Sequence, residues 1–455
     1  MKLSFTRQLS WKYSGSLFFS GVNTFAGVVF QFGTLYKLGV GVRSDLYFAS
    51  IMVPLVIFSL GFGGLNNVLI PLFVEAKTKA DDSETTVLWN CLLGTLGGGT
   101  LLLALLYYPT VRLFPLLFHK LAWIDVGQVG RVVVVYSVYQ ILFSAGTAKN
   151  CYLFAQERPV SAQMSAFWGW LLSLIMLARL HSGANLSDIA MCMVGGSALA
   201  LVFPNLEKGA FRYQQGLFWA HMASLRDRTL PLIGGAAVSK IEPLFDGVLA
   251  SLCREGSLTV YYLFSRVMMN VVSVTFAGYM QPAQKALAEM GTAGGWERLR
   301  RGTRHVAVRS TLVSLALLAA GCAGAVALYF VGIRSIRPYI RSFDDDWLVF
   351  LLLIGYLVGM VVSVAYANSL FIIRKERLFM VASLAAVPLG VLFKFLGAYV
   401  YNLGGLAVGT SLYWILYAAI LAIVFSRTLV RRGTASSPAR YAPVNEVHIG
   451  MGSTD

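Results

Sequence analysis

Lys240, Glu242 and Asp246 fall with Pro243 inside one otherwise apolar run, and Arg266 lies well inside the next. In water such a set would suggest acid–base chemistry. Inside hydrocarbon each ionised group costs about 2.5–3.5 kcal/mol on insertion scales, so these side chains are expected to face water, a ligand or one another. Pro243 has no N–H for the preceding turn and should bend or break its helix. A broken helix with charges near mid-depth is how transporters hold ions and polar solutes. Glu242 and Asp246 share a face if the helix runs on through the proline. They are candidates for binding a coupling ion or for serving as counter-charges, and Asp45, at the mouth of the second span, is a third such candidate. Arg266 sits roughly 12 Å deep, too far for comfortable snorkelling to the headgroups. Two tasks suit it: neutralising Glu242 or Asp246, or gripping a phosphate bidentately. Asn270, one turn on, extends the same polar face.

These residues belong to a chain made for a membrane. Apolar residues are 57% of the 455, charged residues 13%, and the mean hydropathy is +0.68, a composition hard to keep in solution. Stretches able to cross roughly 30 Å of hydrocarbon at about 1.5 Å per residue recur through the chain. They lie at 14–38, 46–74, 86–109, 131–154, 160–180, 186–206, 229–253, 258–284, 306–331, 347–373, 378–400 and 404–426. The pattern predicts an all-α polytopic membrane protein of about twelve transmembrane helices. Well over half of the 37 Lys and Arg fall in the termini and in alternate loops. By the positive-inside rule these face the cytoplasm, giving a multi-pass protein of the bacterial inner membrane with both ends cytoplasmic. The formal charge of +16 is then topological, set against anionic headgroups of the surrounding lipids. Nucleic acid is not expected as a partner.

Residues 205–228 divide the spans six and six. Aromatic and aliphatic residues such as Phe211, Leu217 and Trp219 alternate there with Arg212, Gln214, Arg226 and Arg228, the pattern of an amphipathic linker on the cytoplasmic face. The halves echo one another. Asp45-Leu-Tyr-Phe opens the second span and Tyr261-Tyr-Leu-Phe the eighth, with Pro71 and Pro282 near their exits. Two pseudo-symmetric six-helix bundles, 1–204 and 229–430, are expected to flank a central cavity. Residues 431–455, rich in Ser, Ala, Pro and Gly, read as a disordered cytoplasmic tail.

Other polar groups within spans have quieter readings. Lys149 and Lys394 lie near enough to span ends for their stems to carry the ammonium to the interface. Asn23 and Gln31, like Asn66, Asn67 and Asn368, suit interhelical hydrogen bonds. Asn23 and Gln31 are also candidates to line the cavity with Arg266, Lys240 and Asn270. Cys91, Cys151, Cys192, Cys253 and Cys322 are scattered through apolar segments and read as small hydrophobes. Neither they nor the five histidines have the spacing of a metal site or a nucleophile pair, and no metal or cofactor is expected.

At these residues the chain resembles the MurJ/MviN family of lipid-linked glycan flippases, within the multidrug, oligosaccharidyl-lipid and polysaccharide exporter superfamily. The first-half match runs through Gly27, Gly39, Asp45, Tyr47 and Phe48 to Pro71. The second runs through Val238-Ser239, Ala250-Ser251, Gly256-Ser257, Tyr261-Tyr262 and Arg266 to Pro282. Glu157-Arg158-Pro159 and Gly405-Leu406 with Gly409 and Ser411 also fit. The resemblance implies two six-helix bundles around a cationic cavity that passes a polyprenyl-diphosphate-linked saccharide outward. It makes Arg266 a functional position and Asp45 the acid at the mouth of the second span. Thr24, Phe30 and Gln31 stand where the family's first helix bears arginines and an aspartate, and the family commonly has fourteen helices. Both departures turn the expected cargo from lipid II toward a capsule, exopolysaccharide or O-antigen precursor.

Three function classes follow. The first is a flippase of such a saccharide, of exopolysaccharide, O-antigen or peptidoglycan-precursor type, acting with glycan-assembly proteins and drawing on membrane potential, H+ or Na+. The second is a cation-coupled exporter of small amphiphiles or drugs, with Glu242 and Asp246 as exchange site. The third, an integral membrane enzyme, needs convergent catalytic groups at the membrane face. The outer loops supply none, so no enzyme is expected.

Overall fold

Each predicted apolar stretch that the structure covers is helical. The computed structural model describes residues 11–62, 69, 73, 84–121, 125–156, 158–181, 183–203, 218–219, 221–223, 226, 241–280, 283, 287, 290, 296–330, 346–373 and 375–435. In chain order these form α1 (Trp11–Leu38), α2 (Val42–Phe62), α3 (Glu84–Leu117), α4 (Val126–Ala155), α5 (Pro159–Arg179) and α6 (Leu186–Val202). There follow α7 (241–251), α8 (Ser257–Thr275) with a π-helical turn at Phe276–Met280, α9 (Trp296–Phe330), α10 (Trp347–Leu352), α11 (Ile354–Ile372) and α12 (Glu376–Ala435). No strand occurs among the described residues. Nine helices there are long and apolar enough to cross a membrane. The chain is a polytopic all-α membrane protein.

α12 is a hairpin of two helices. Asn402 takes a positive φ of 51° with ψ −133° beside Tyr401 and reverses the chain. Small residues let the two arms close. A Cβ on Gly397 would sit 2.1 Å from the Gly405 carbonyl, and one on Gly409 would sit 2.5 Å from that of Phe393, the close backbone approach glycine permits between membrane helices.

Packing is mainly local to each half. α2, α3 and α6 pack on α4, and α1 and α6 on α5; in the second half α9, α10 and α12 gather with α11. α8 crosses between the halves, touching both α1 and α2. The linker 205–228 lies largely outside the described residues, as do Lys240, Asn66, Asn67, Pro71 and Pro282. One expected boundary moves: α12 runs on to Ala435, so the first residues of the supposed tail are helical.

Lys149 does not snorkel. It is fully buried on α4, and its three N–H groups are shared among the carbonyls of Ala200 at 2.5 Å, Leu201 at 3.1 Å and Phe203 at 2.7 Å and Ser165 Oγ at 3.0 Å. The last carbonyls of α6 have no intrahelical donors, and an ammonium satisfies them while meeting the negative end of the helix dipole.

Candidate functional site

The two halves meet where α2 and α8 begin. Gly256 precedes α8 with φ 82°, and a Cβ there would stand 3.1 Å from Val40 Cγ1. Asp45, in the first turn of α2, reaches across to cap α8. It accepts from Gly256 N at 2.7 Å, Thr259 N at 2.8 Å and Thr259 Oγ1 at 2.6 Å, while Thr259 Oγ1 also bonds Ser44 Oγ at 3.0 Å. A carboxylate on the free amides of a helix N-terminus is the favourable sign for the dipole. Asp45 is therefore a buried joint between halves, not the ion-binding or counter-charge group expected from sequence. Nearby, the rings of Phe48 and Tyr262 pack together with centroids 4.6 Å apart and planes tilted by 31°.

Arg266 lies one turn beyond Tyr262 on α8 and is partly exposed. Its electrostatic neighbours are phenols from both halves: Tyr136 and Tyr139 of α4, Tyr262, and Tyr356 of α11. All four tyrosines are buried. Among the described residues Arg266 forms no ion pair, and the suggested pairing with Glu242 or Asp246 is not made. Asn270 is partly exposed a turn further on, and Gln31 is partly exposed on α1. Asn23 is buried, its amide donating to Gln163 O at 2.9 Å and Gln163 Oε1 at 3.2 Å. That ties α1 to α5 and removes Asn23 from the candidate cavity wall.

The carboxylates have another partner. α7 continues through Pro243, so Glu242 and Asp246 do share a face. Lys394 of α12, only 2% exposed, touches Glu242 Oε1 and stands 2.7 Å from Asp246 Oδ1. Trp414 Nε1 donates to Glu242 Oε1 at 2.8 Å, and the Tyr261 hydroxyl to Asp246 Oδ2 at 2.8 Å. Thr410 Oγ1 lies 2.8 Å from the same hydroxyl, and the Lys394 ammonium lies 4.9 Å from the centre of the Tyr413 ring. The interfacial reading of Lys394 is thus overturned. Two buried carboxylates hold it down, which outweighs a stem long enough to reach the interface.

Sequence reasoning found the carboxylates and Arg266 but missed Lys394, Tyr261, Tyr356 and Trp414 as their surroundings. A signal was present. Two carboxylates buried in one apolar span demand a cation, and Lys394 is charged in a span as apolar as theirs.

No protein-family model matches the chain, and no curated protein matches it. Solved structures do. An inward-facing multidrug resistance MATE family transporter of the MOP superfamily superposes with a TM-score of 0.67 at 13% identity, over 91% of this chain and 96% of that one. An outward-facing MATE family transporter gives 0.61 at 12% identity, over 93% and 96%. A MOP superfamily transporter from Pyrococcus furiosus, described as having a binding pocket of reverse polarity, gives 0.61 at 12%, again over 93% and 96%. The chain is similar in fold to these transporters along nearly its whole length.

Proposed function

We propose that the protein is a membrane exporter that works by alternating access and moves an amphiphile with an anionic headgroup. Arg266 is the observation that supports this reading. A guanidinium between two halves, ringed by phenols and without a carboxylate partner among the described residues, presents an anion-binding fork. The tyrosines give it hydroxyls and apolar ring faces, suited to a headgroup carried on a long chain. The resemblance in sequence narrows the cargo to a polyprenyl-diphosphate-linked saccharide, moved from inner to outer leaflet with no covalent step. The loop charges put the Asp45 joint at the outer end, where the halves are held together.

The test is transport in proteoliposomes with a fluorescent polyprenyl-diphosphate saccharide. Arg266→Ala is expected to lower translocation by at least tenfold and Arg266→Lys by less, because a point charge lacks the bidentate geometry. Unchanged translocation by Arg266→Ala at normal expression would sink the reading.

A second reading, a cation-coupled exporter of small amphiphiles, is favoured by the likeness to multidrug MATE transporters. Its exchange site would be Glu242 and Asp246, with Lys394 rather than Arg266 as counter-charge. Drug efflux that vanishes in Glu242→Gln while Arg266→Ala is silent would select it.

A further inference from the structure

Charge counting across the second half leads beyond a simple anion grip. Glu242, Asp246 and Lys394 form a buried cluster of two carboxylates and one ammonium, so with both acids ionised it holds one negative charge in excess. Arg266 holds one positive charge and no ion-pair partner among the described residues. One tyrosine is common to the two centres. Tyr356 neighbours both Arg266 and the acids, and its ring lies 5.7 Å from that of Trp414, which donates to Glu242. α8 joins them again, carrying Arg266 and also Tyr261, which donates to Asp246.

We propose that these four residues are one electroneutral array, so that an anion bound at Arg266 is accompanied by one proton taken up on the Glu242–Asp246 pair. The inference rests on the anion reading of Arg266 and names what travels with the cargo. With Arg266 free, its charge offsets the excess carboxylate and favours ionisation. An anion on Arg266 cancels that support, and the carboxyl pair gains affinity for a proton on one of its oxygens. The groups facing the pair are Lys394, Tyr413 and Tyr417 of α12, Tyr261 of α8 and Tyr356 of α11. Lys394 is the cation among them, and it fills the seat between the acids, so a proton enters where a sodium ion is repelled. Empty and loaded with a monoanion plus a proton, the array has the same net charge. The rocking step then moves no charge of the array through the membrane field.

By linkage, proton uptake on anion binding requires tighter anion binding at lower pH, by up to tenfold per pH unit while the pair titrates. Dodecyl sulfonate is a suitable probe because it stays monovalent and brings no proton. It would be bound to the full-length protein in nanodiscs, in weakly buffered choline chloride, with an indicator dye recording proton uptake. Wild type is expected to take up close to one proton per Arg266-dependent sulfonate. Glu242→Gln and Asp246→Asn, near-isosteric and checked for monodispersity, are expected to bind sulfonate and take up none. Binding without uptake anywhere between pH 5 and 8 overturns the array while leaving the anion site standing. Uptake that needs sodium, or that survives in both variants, also overturns it. Sulfonate binding unaffected by Arg266→Ala removes the anion site, and the inference with it.

Discussion

Each half of the molecule buries ionised side chains, and the two halves spend them differently. In the first half Lys149 closes the C-terminus of α6 and Asp45 closes the N-terminus of α8. Both answer partial charges of backbone dipoles, and neither forms an ion pair among the described residues. In the second half Lys394 is set against Glu242 and Asp246, charge against charge. A helix end cannot change its charge. A carboxylate can. The same lysine chemistry therefore makes a fixed clamp in one half and a titratable cluster in the other.

The largest effect that tests this difference belongs to Lys394→Met. Removing the ammonium leaves two buried acids facing each other, at a cost of about 3–5 kcal/mol, read as a fall in the thermal midpoint in detergent. The deficit is expected to shrink at low pH, where the acids are protonated. Adding Glu242→Gln and Asp246→Asn should recover most of the loss by removing the uncompensated charge. A loss that no pH and no second substitution relieves would mean Lys394 acts by packing alone.

Lys149→Met is the matched experiment in the first half. It strips donors from three carbonyls at the end of α6, costing about 1–3 kcal/mol. No carboxylate is freed, so the deficit should not vary with pH between 5 and 8. A pH-dependent deficit as large as that of Lys394→Met would erase the distinction between the halves.

This contrast also marks how far the sequence could be read. The helices were legible because a membrane span is a long uniform pattern, and the charges of α7 and α8 stood out against it. That Glu242 and Asp246 needed a buried cation was legible; the choice between Arg266 and Lys394 was not. Arg266 is nearer in sequence, but Lys394 is nearer in space, because the hairpin of α12 brings residue 394 against α7. Asp45 was visible as a motif residue, yet its partners Gly256 and Thr259 become neighbours only when the halves dock. Lys149 and Lys394 looked alike because distance from a span end says nothing of what waits at mid-depth.

Trp414→Phe is a milder probe of the cluster. It removes one hydrogen bond to Glu242 and keeps most of the ring, a loss of about 1.5 kcal/mol. Its sharper readout is the pH dependence of stability. With one donor fewer, ionised Glu242 is less favoured, so the deficit relative to wild type should be greatest at high pH and fade as the acid protonates. The opposite slope would mean that the indole favours the protonated acid instead.

Asp45→Asn carries the smallest stability effect and tests the joint itself. The amide keeps its one oxygen as acceptor for Thr259 but turns its NH2 toward the Gly256 N–H, costing about 1 kcal/mol. Because the bonds cross between halves, that energy is lost only while the halves are joined here, which the proposed orientation makes the outer end. The population with an open outer end should therefore rise roughly fivefold. Cys253, half-buried beside the joint where Lys120 donates to its carbonyl at 2.9 Å, is a native reporter. In a Cys322→Ser background an impermeant maleimide added from outside should label it several-fold faster in Asp45→Asn than in the parent. Equal labelling would make Asp45 a helix cap with no part in gating, leaving the crossing of α8 to its aromatic contacts with Phe48.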